Sequence, residues 1–421
     1  MTILIAGGGI AGLTAALSLH QIGVPCRVFE SVATPRALGV GINLLPHAVR
    51  ELTELGLHDA LAAQAVATAE LAYYNRHGQR IWSEPRGREA GYHWPQFSIH
   101  RGTLHLILLA AARERLGAEN ILTGHHLAGW EETANGVRAR FVDRESGASL
   151  GDQYGALLIG ADGIHSAVRR ALHPGEGAPI WNGAILWRGT TRAEPFLTGR
   201  SMIMAGHEFQ KFVAYPIGGD GGLINWIAER KFRPDAAWRR EDWNRPGVLA
   251  DFLPAFASWR FDWLDVPALI EAADACFEYP MVDRDPLDRW TFGRVSLLGD
   301  AAHPMYPIGS NGASQGVLDA RVLAREVRRC GPVTEALLAY EAERRPATSK
   351  IVLANRANGP EQVMQMVEQR APDGFRNIED VLTQAEREAT AAGYKQIAGF
   401  DRDALNARGS IIALNAPGLI A

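Results

Sequence analysis

Thr2-Ile3-Leu4-Ile5-Ala6-Gly7-Gly8-Gly9-Ile10-Ala11-Gly12, with its continuation to Glu30, decides the fold. Residues 2–6 form a short apolar run that ends in glycines, the pattern of a buried parallel strand. From Ile10 to Ile22 the apolar residues recur at helical spacing, and Gly23 closes the helix. Cys26-Arg27-Val28-Phe29-Glu30 then reads as a second strand. The result is one strand–helix–strand unit with G-x-G-x-x-G at its first turn. Gly7 permits the tight turn, Gly9 lets backbone approach a pyrophosphate, and Gly12 lets helix and strand pack closely. The helix N-terminus that begins at Ile10 and Ala11 faces the phosphate charge. Glu30, about 20 residues on, stands where an acid accepts hydrogen bonds from ribose hydroxyls.

This fingerprint predicts dinucleotide binding but does not separate NAD from FAD. Two further motifs do. Gly160-Ala161-Asp162-Gly163-Ile164-His165-Ser166 follows the apolar strand 157–161. Gly299-Asp300-Ala301-Ala302-His303-Pro304 follows another at 294–298, and Tyr306-Pro307-Ile308-Gly309-Ser310-Asn311-Gly312-Ala313 then opens a helix. An aspartate at the carboxyl end of a parallel strand lies where open α/β sheets bind ligands, and it can accept hydrogen bonds from a polyol such as ribityl. Backbone amides of the Gly309–Gly312 loop and the helix behind it favour negative charge, as on reduced flavin. Either aspartate alone has the ordinary reading of a cap or turn residue.

The three motifs, in this order, resemble the class A flavoprotein monooxygenases related to p-hydroxybenzoate hydroxylase. The likeness is greatest to the phenazine-modifying members. It is carried by Leu38-Gly39-Val40-Gly41-Ile42-Asn43, Trp82-Ser83-Glu84-Pro85-Arg86-Gly87, Ser98-Ile99-His100-Arg101-Gly102, Tyr279 to Leu287 and the Gly299 to Gln315 run. The resemblance covers the first 355 residues or so; the tail after Asn355 lies outside it. It implies that Glu30 holds the adenosine ribose of FAD and that Arg101 contacts the phosphate or ribityl side. Asp300 would bind the ribityl chain, with Gly299 beside it, and Asp162 and Gly163 would lie near the pyrophosphate and the NAD(P)H approach. Pro307, Gly309, Asn311, Gly312 and Ala313 would flank the isoalloxazine, with Gly41 and Ile42 along its other edge. Arg188, in Trp187-Arg188-Gly189, matches an arginine beside the flavin; its other reading is a solvated strand arginine.

The expected fold is α/β: a Rossmann-like FAD-binding domain over 1–180 and 286–355, a mostly antiparallel substrate sheet over 181–285, and C-terminal helices over 356–421. Within 181–285, strands are expected near 185–191, 201–205, 211–217 and 223–229, with Gly218 to Gly222 as a hairpin turn. Met204, Phe212, Tyr215 and Trp226 are the candidate substrate contacts, each with the alternative of plain core. The resemblance implies hydride transfer from NADH or NADPH to FAD, reaction with O₂ and oxygen transfer to an aromatic or heteroaromatic ring through a C4a-hydroperoxyflavin. Alternatives are a flavin-binding protein without turnover and another FAD oxidoreductase, such as a halogenase relative, whose W-x-W-x-I-P signature is missing.

Composition is consistent with this reading. Of 421 residues, 47% are hydrophobic and 21% charged, the profile of a soluble globular chain of several units. A net charge of −4 gives no electrostatic reason for nucleic acid or an anionic membrane as partner. Cys26, Cys276 and Cys330 fit neither a disulfide framework nor a metal set, and a cytoplasmic location is the default expectation. The segment Ile3 to Val24 lacks a basic leader and holds His20, Gln21 and five glycines, so no membrane anchor is expected. His125-His126 reads as surface rather than metal pair, since adjacent strand residues point to opposite faces. Oligomeric state, monomer or homodimer, is left open by the sequence.

Overall fold

The computed structural model describes residues 2–37, 39–232 and 245–413; Leu38 of the motif at 38–43, the stretch 233–244 within the expected sheet domain and the end of the tail lie outside the described residues. Ile3–Ala6 is fully buried and pairs in parallel with both Cys26–Glu30 and Leu157–Gly160. Val295–Leu297 and Ile121–Thr123 complete a five-stranded parallel sheet as its edges. Apolar side chains on both faces of the first strand follow from this, because the sheet is covered on both sides. Helices Ile10–Gln21, Arg101–Leu116 and Gly312–Cys330 pack together beside it. An antiparallel trio, His125–Thr133, Gly136–Asp143 and Ser149–Gly155, adjoins it, with Phe29 stacked on Phe141 at 4.0 Å between centroids.

The second sheet has seven strands, in the order Cys276–Asp283, Ile180–Arg192, Leu223–Lys231, Gln210–Ile217, Ser201–His207, Glu70–Tyr74 and Arg80–Pro85. The glycine turn joins Ile217 to Leu223 in antiparallel register, as its spacing predicts. Glu70–Tyr74 pairs in parallel with Ser201–His207, so the sheet draws two strands from outside residues 181–285.

Each strand of this sheet sends alternate residues to two different cores. Leu71, Tyr73, Met202, Met204, Val213 and Tyr215 share one cluster, which continues into Tyr306 and Ile308. Phe212 and Trp226 belong to the other, where Phe212 meets Phe256 and Trp226 packs on Phe252 and donates to Thr191 Oγ1 at 3.0 Å. Two of the four candidate substrate contacts, Phe212 and Trp226, thus lie in this second core, on the face away from Met204 and Tyr215. Phe212 and Tyr215 lie three residues apart on one strand, so period two places them on opposite faces, and Trp226 falls on the Phe212 side.

The tail forms helices Gln362–Arg370, Gln384–Ile397 and Arg402–Ala407. Val363, Met364, Val367 and Leu382 join the cluster of Met204 and Tyr215, so the tail covers that face of the sheet. Among the described residues, no helix is long and apolar enough to cross a membrane. Phe212→Ala is expected to lower unfolding free energy by about 3–5 kcal/mol in denaturant titration, the cost of a large core cavity, while ligand dependence stays unchanged.

Candidate active site

The first turn is held by contacts that exclude any side chain. Gly7 has φ +112°, and a Cβ there would lie 2.2 Å from the Ala161 carbonyl oxygen. A Cβ on Gly12 would lie 2.0 Å from the Gly7 oxygen, whereas Gly9 faces open space and is exposed. Helix Ile10–Gln21 starts at Gly9 with no side-chain cap and no acid in its first turn. Its first amides, around Ile10 and Ala11, therefore lack side-chain acceptors and carry the positive end of the helix dipole. Glu30 Oε2 accepts from Gly8 N at 2.8 Å, and Oε1 accepts from Val32 N at 2.7 Å and Ser31 Oγ at 3.3 Å, which leaves a lone pair on Oε2. His105 Nε2 donates to the Gly8 oxygen at 2.6 Å. Sequence reasoning missed His105; its signal was its place one turn after Arg101 on the same helix.

Asp300 and Arg101 are both exposed here, at the end of one strand and the start of one helix. Surrounding protein raises the Asp300 carboxyl above its usual value, while His303 and Arg101 act in the opposite direction. Behind them, Asp319 is fully buried and accepts from Gly299 N at 3.1 Å, His303 Nε2 at 2.5 Å and Arg344 Nε at 2.7 Å. Burial alone would raise the Asp319 carboxyl, but His303 and Arg344 hold it at about 2. Gly299 is packed against Ala11, since a Cβ there would stand 2.8 Å from the Ala11 methyl. The Asp300 loop is thus tied to the Gly7–Gly12 turn.

Pro307 is exposed, and Gly309 and Ser310 follow it with φ +69° and +55°. Asn311 is buried and accepts from Gln315 Nε2 at 3.0 Å. Helix Gly312–Cys330 begins there without a side-chain cap or an early acid, with Gly312 and Ala313 partly exposed. Facing this loop, Arg188 Nη2 donates to the Gly41 oxygen at 2.8 Å and Gly41 N donates to Asn225 Oδ1 at 2.6 Å. A Cβ on Gly41 would strike Asn225 and Tyr215 at 2.7–2.8 Å; Ile42, next along, is partly exposed. Arg188 is therefore not a solvated strand arginine. Burial pushes the neighbouring Tyr215 phenol up to about 12, against the pull of Arg188. Asn225 was not anticipated, although alternation places it opposite in face to Trp226.

Asp162 has a different placement from Asp300. Its carboxylate accepts from Ser166 Oγ, from Ala167 N at 2.7 Å and from Val168 N at 3.3 Å, so it ties down the helix Ala167–Leu172. Gly163 follows with φ +76° and open space beside it.

A pocket opens between Gly309-Ser310 and the sheet. Leu71, Met202, Met204 and Phe400 supply apolar wall. Among the described residues, no group of three or more His, Cys, Asp or Glu is placed to hold a metal. Two uncapped helix starts, glycine cradles with no room for Cβ, a ribose-range acid at Glu30 and the exposed Asp300–Arg101 pair fit FAD.

Asp300→Ala is expected to weaken FAD retention tenfold or more, the worth of a charged hydrogen bond. Asp162→Ala instead lowers the thermal midpoint by loss of a cap, with FAD affinity within about threefold. Unchanged FAD affinity in the first variant would contradict the ribityl assignment. Asp319 contributes on the order of 2 kcal/mol of stability that is fully present above about pH 4 and is lost as pH falls toward 2. Asp319→Asn should flatten that acid limb in a pH series of unfolding curves.

The FAD binding domain family matches residues 1–181 and 279–355. The phenazine 1,6-dicarboxylic acid hydroxylase PhzS of Lysobacter antibioticus is 48% identical over 364 residues, covering 84% of this chain and 89% of that protein. The 3-amino-4-hydroxybenzoate 2-monooxygenase PtnB3 of Streptomyces platensis is 33% identical, covering 85% and 88%. The crystal structure of Klebsiella pneumoniae HpxO complexed with FAD and uric acid shares the fold at TM-score 0.74 and 24% identity, over 96% of both chains. The chain belongs to the FAD binding domain family and, within it, to the class A FAD-dependent monooxygenases.

Proposed function

We propose that this enzyme hydroxylates an aromatic or heteroaromatic ring, with NADH or NADPH as electron donor and O₂ as oxidant. Overall, one ring C–H becomes C–OH, NAD(P)H is oxidised, and the second oxygen atom leaves as water. The observation that carries the reading is the apolar pocket of Leu71, Met202 and Met204, which opens directly onto the Gly309-Ser310 turn. A flat ring held on those side chains lies against the loop that the family uses beside its flavin. Homology supports the reading too: the Lysobacter and Streptomyces relatives are named for hydroxylating a phenazine acid and an aminohydroxybenzoate.

FAD, when bound, supplies hydride acceptance and oxygen activation. The chain's own residues bind and orient. The free amides at Ile10 and Ala11 take the pyrophosphate, Glu30 the adenosine ribose, and Asp300 with Arg101 the ribityl side. Amides at Gly312 and Ala313, at an uncapped helix start, would favour negative charge on the bound cofactor. Arg188 braces the Gly41 backbone and, through it, Ile42. Tyr215, with its phenol at about 12, stays protonated at neutral pH and acts as a hydrogen-bond donor rather than a base. Met204 and Tyr215 are the substrate-side residues of the original four, on the face that the tail covers.

NADH and NADPH oxidation in air, measured against aromatic acids, phenols and phenazines, tests this. One ring class should raise the oxidation rate several-fold and yield a product 16 Da heavier, the mass of one oxygen atom. Flavin-loaded protein whose oxidation no ring stimulates would leave a flavin binder without turnover.

A further inference from the structure

Gly309 and Ser310 both take left-handed backbone angles, φ +69° and +55°, in the turn that lines the pocket. Glycine accepts that conformation freely. A serine stays in it only where its surroundings over-determine the backbone. Ser310 N donates to Pro307 O at 3.1 Å within the turn, and Asn43 Nδ2 donates to Ser310 Oγ at 3.4 Å. Further restraint comes from two residues much later in the chain, Asn355 and Tyr394.

Asn355 is fully buried near the end of helix Thr334–Arg356 and donates from Nδ2 to the Tyr306 carbonyl at 3.0 Å. Its Oδ1 accepts from Tyr394 Oη at 2.9 Å, and the Ile308 carbonyl lies within reach of the same hydroxyl at 3.3 Å. The Tyr394 ring fills the space beside Gly309: a Cβ there would meet its Oη, Cζ and Cε1 at 2.1–2.5 Å. Two carbonyls and one α-carbon of the turn are thus held by a tyrosine and an asparagine that also bond to each other. The phenol faces Asn311 as well, and burial pushes its ionisation well above the usual range, so it stays a donor. Tyr394 is nearly fully buried on the tail helix Gln384–Ile397, beyond the family's matched residues 1–181 and 279–355. The bare α-carbon at Gly309 therefore fits a side chain that the family match does not contain.

We propose that Tyr394 and Asn355 are positioning residues that clamp the turn 306–310, so that the tail sets the alignment between the ring pocket and the cofactor side of the site. The inference rests on the hydroxylase reading and names residues on which productive oxygen transfer depends. With the clamp loosened, turn and ring lose their register and the oxidant is wasted. NAD(P)H, one proton and O₂ then give NAD(P)⁺ and H₂O₂, with no oxygen placed on the ring.

Tyr394→Phe tests this, since it keeps the ring on Gly309 and removes only the hydroxyl. Thr383→Ala, which breaks the capping box of the same helix, is the control for a merely structural effect. In Tyr394→Phe, kcat for hydroxylated product should fall about tenfold with KM within threefold, and peroxide should account for most of the NAD(P)H oxidised. Asn355→Leu should behave alike, and the double variant should lose no more than either alone, because both break one chain of bonds. Hydrogen exchange in the flavin-free chain reads the turn itself: the Ser310 amide should exchange about tenfold faster in Tyr394→Phe and at the parent rate in Thr383→Ala. Parent-like coupling and exchange in Tyr394→Phe, or equal changes in Tyr394→Phe and Thr383→Ala, would overturn the clamp. If the parent enzyme hydroxylates no ring, the hydroxylase reading fails, and exchange at Ser310 still decides whether the clamp exists.

Discussion

Ala161 O lies where a Cβ on Gly7 would have to stand, and Gly7 O lies where one on Gly12 would. This mutual approach of backbone to backbone brings the first strand, the strand 157–160 and the first helix together at one point. No side chain intervenes there, so the helix presents free amides to the cleft rather than a capped end. A second uncapped helix, Gly312–Cys330, is anchored to the same point through Gly299 and Gly316 against Ala11. Two positive helix ends thus share one cleft, and the buried Asp319 network fixes the loop between them. An anionic, elongated ligand is what such an arrangement favours.

The seven-stranded sheet performs two tasks with one set of strands. Its Phe212–Trp226 face is dry core against the helix Leu249–Phe256. Its Met204–Tyr215 face meets the loop around Ile308 and the tail, and there charged side chains appear: Arg188, Glu84, Arg86 and the Lys211–Glu229–Glu361 cluster. Buried charges are costly unless paired, and two of the pairings here also join the tail to the sheet. Lys211 connects the sheet to Glu361 at the start of the tail helices, and Lys395 connects the same tail to Glu84. The tail is consequently part of the pocket rather than an appendage.

Local motifs were legible because their physics is local. The glycine turn, the strand before it and the helix after it follow from side-chain size and periodicity within 30 residues, and the hairpin at 218–222 follows in the same way. Asp300 stays exposed beside Arg101, whereas Asp162 is bonded to its own helix start, the cap reading that its residue type also allowed. Phe212 and Trp226 lie on the core face because strand parity, not aromatic character, sets the side on which a residue falls. Glu70–Tyr74 joining Ser201–His207, and Glu84 meeting Lys395, depend on tertiary pairing between residues more than a hundred positions apart, which no local pattern encodes. His105 and Asn225 were hidden for the same reason: each acts on a glycine backbone group, Gly8 or Gly41, brought to it by the fold.

Everything above depends on a flavin dinucleotide filling the cleft between the two uncapped helix ends. Titration of the flavin-stripped full chain with FAD and, separately, FMN, followed by visible absorption and fluorescence, tests this most directly. Stoichiometric, tight uptake of FAD, with FMN at least tenfold weaker for want of the adenosine half that Glu30 and the first helix would hold, is the expected result. A chain that stays colourless with FAD in excess, or that takes up FMN as tightly, would contradict the assignment of the cleft.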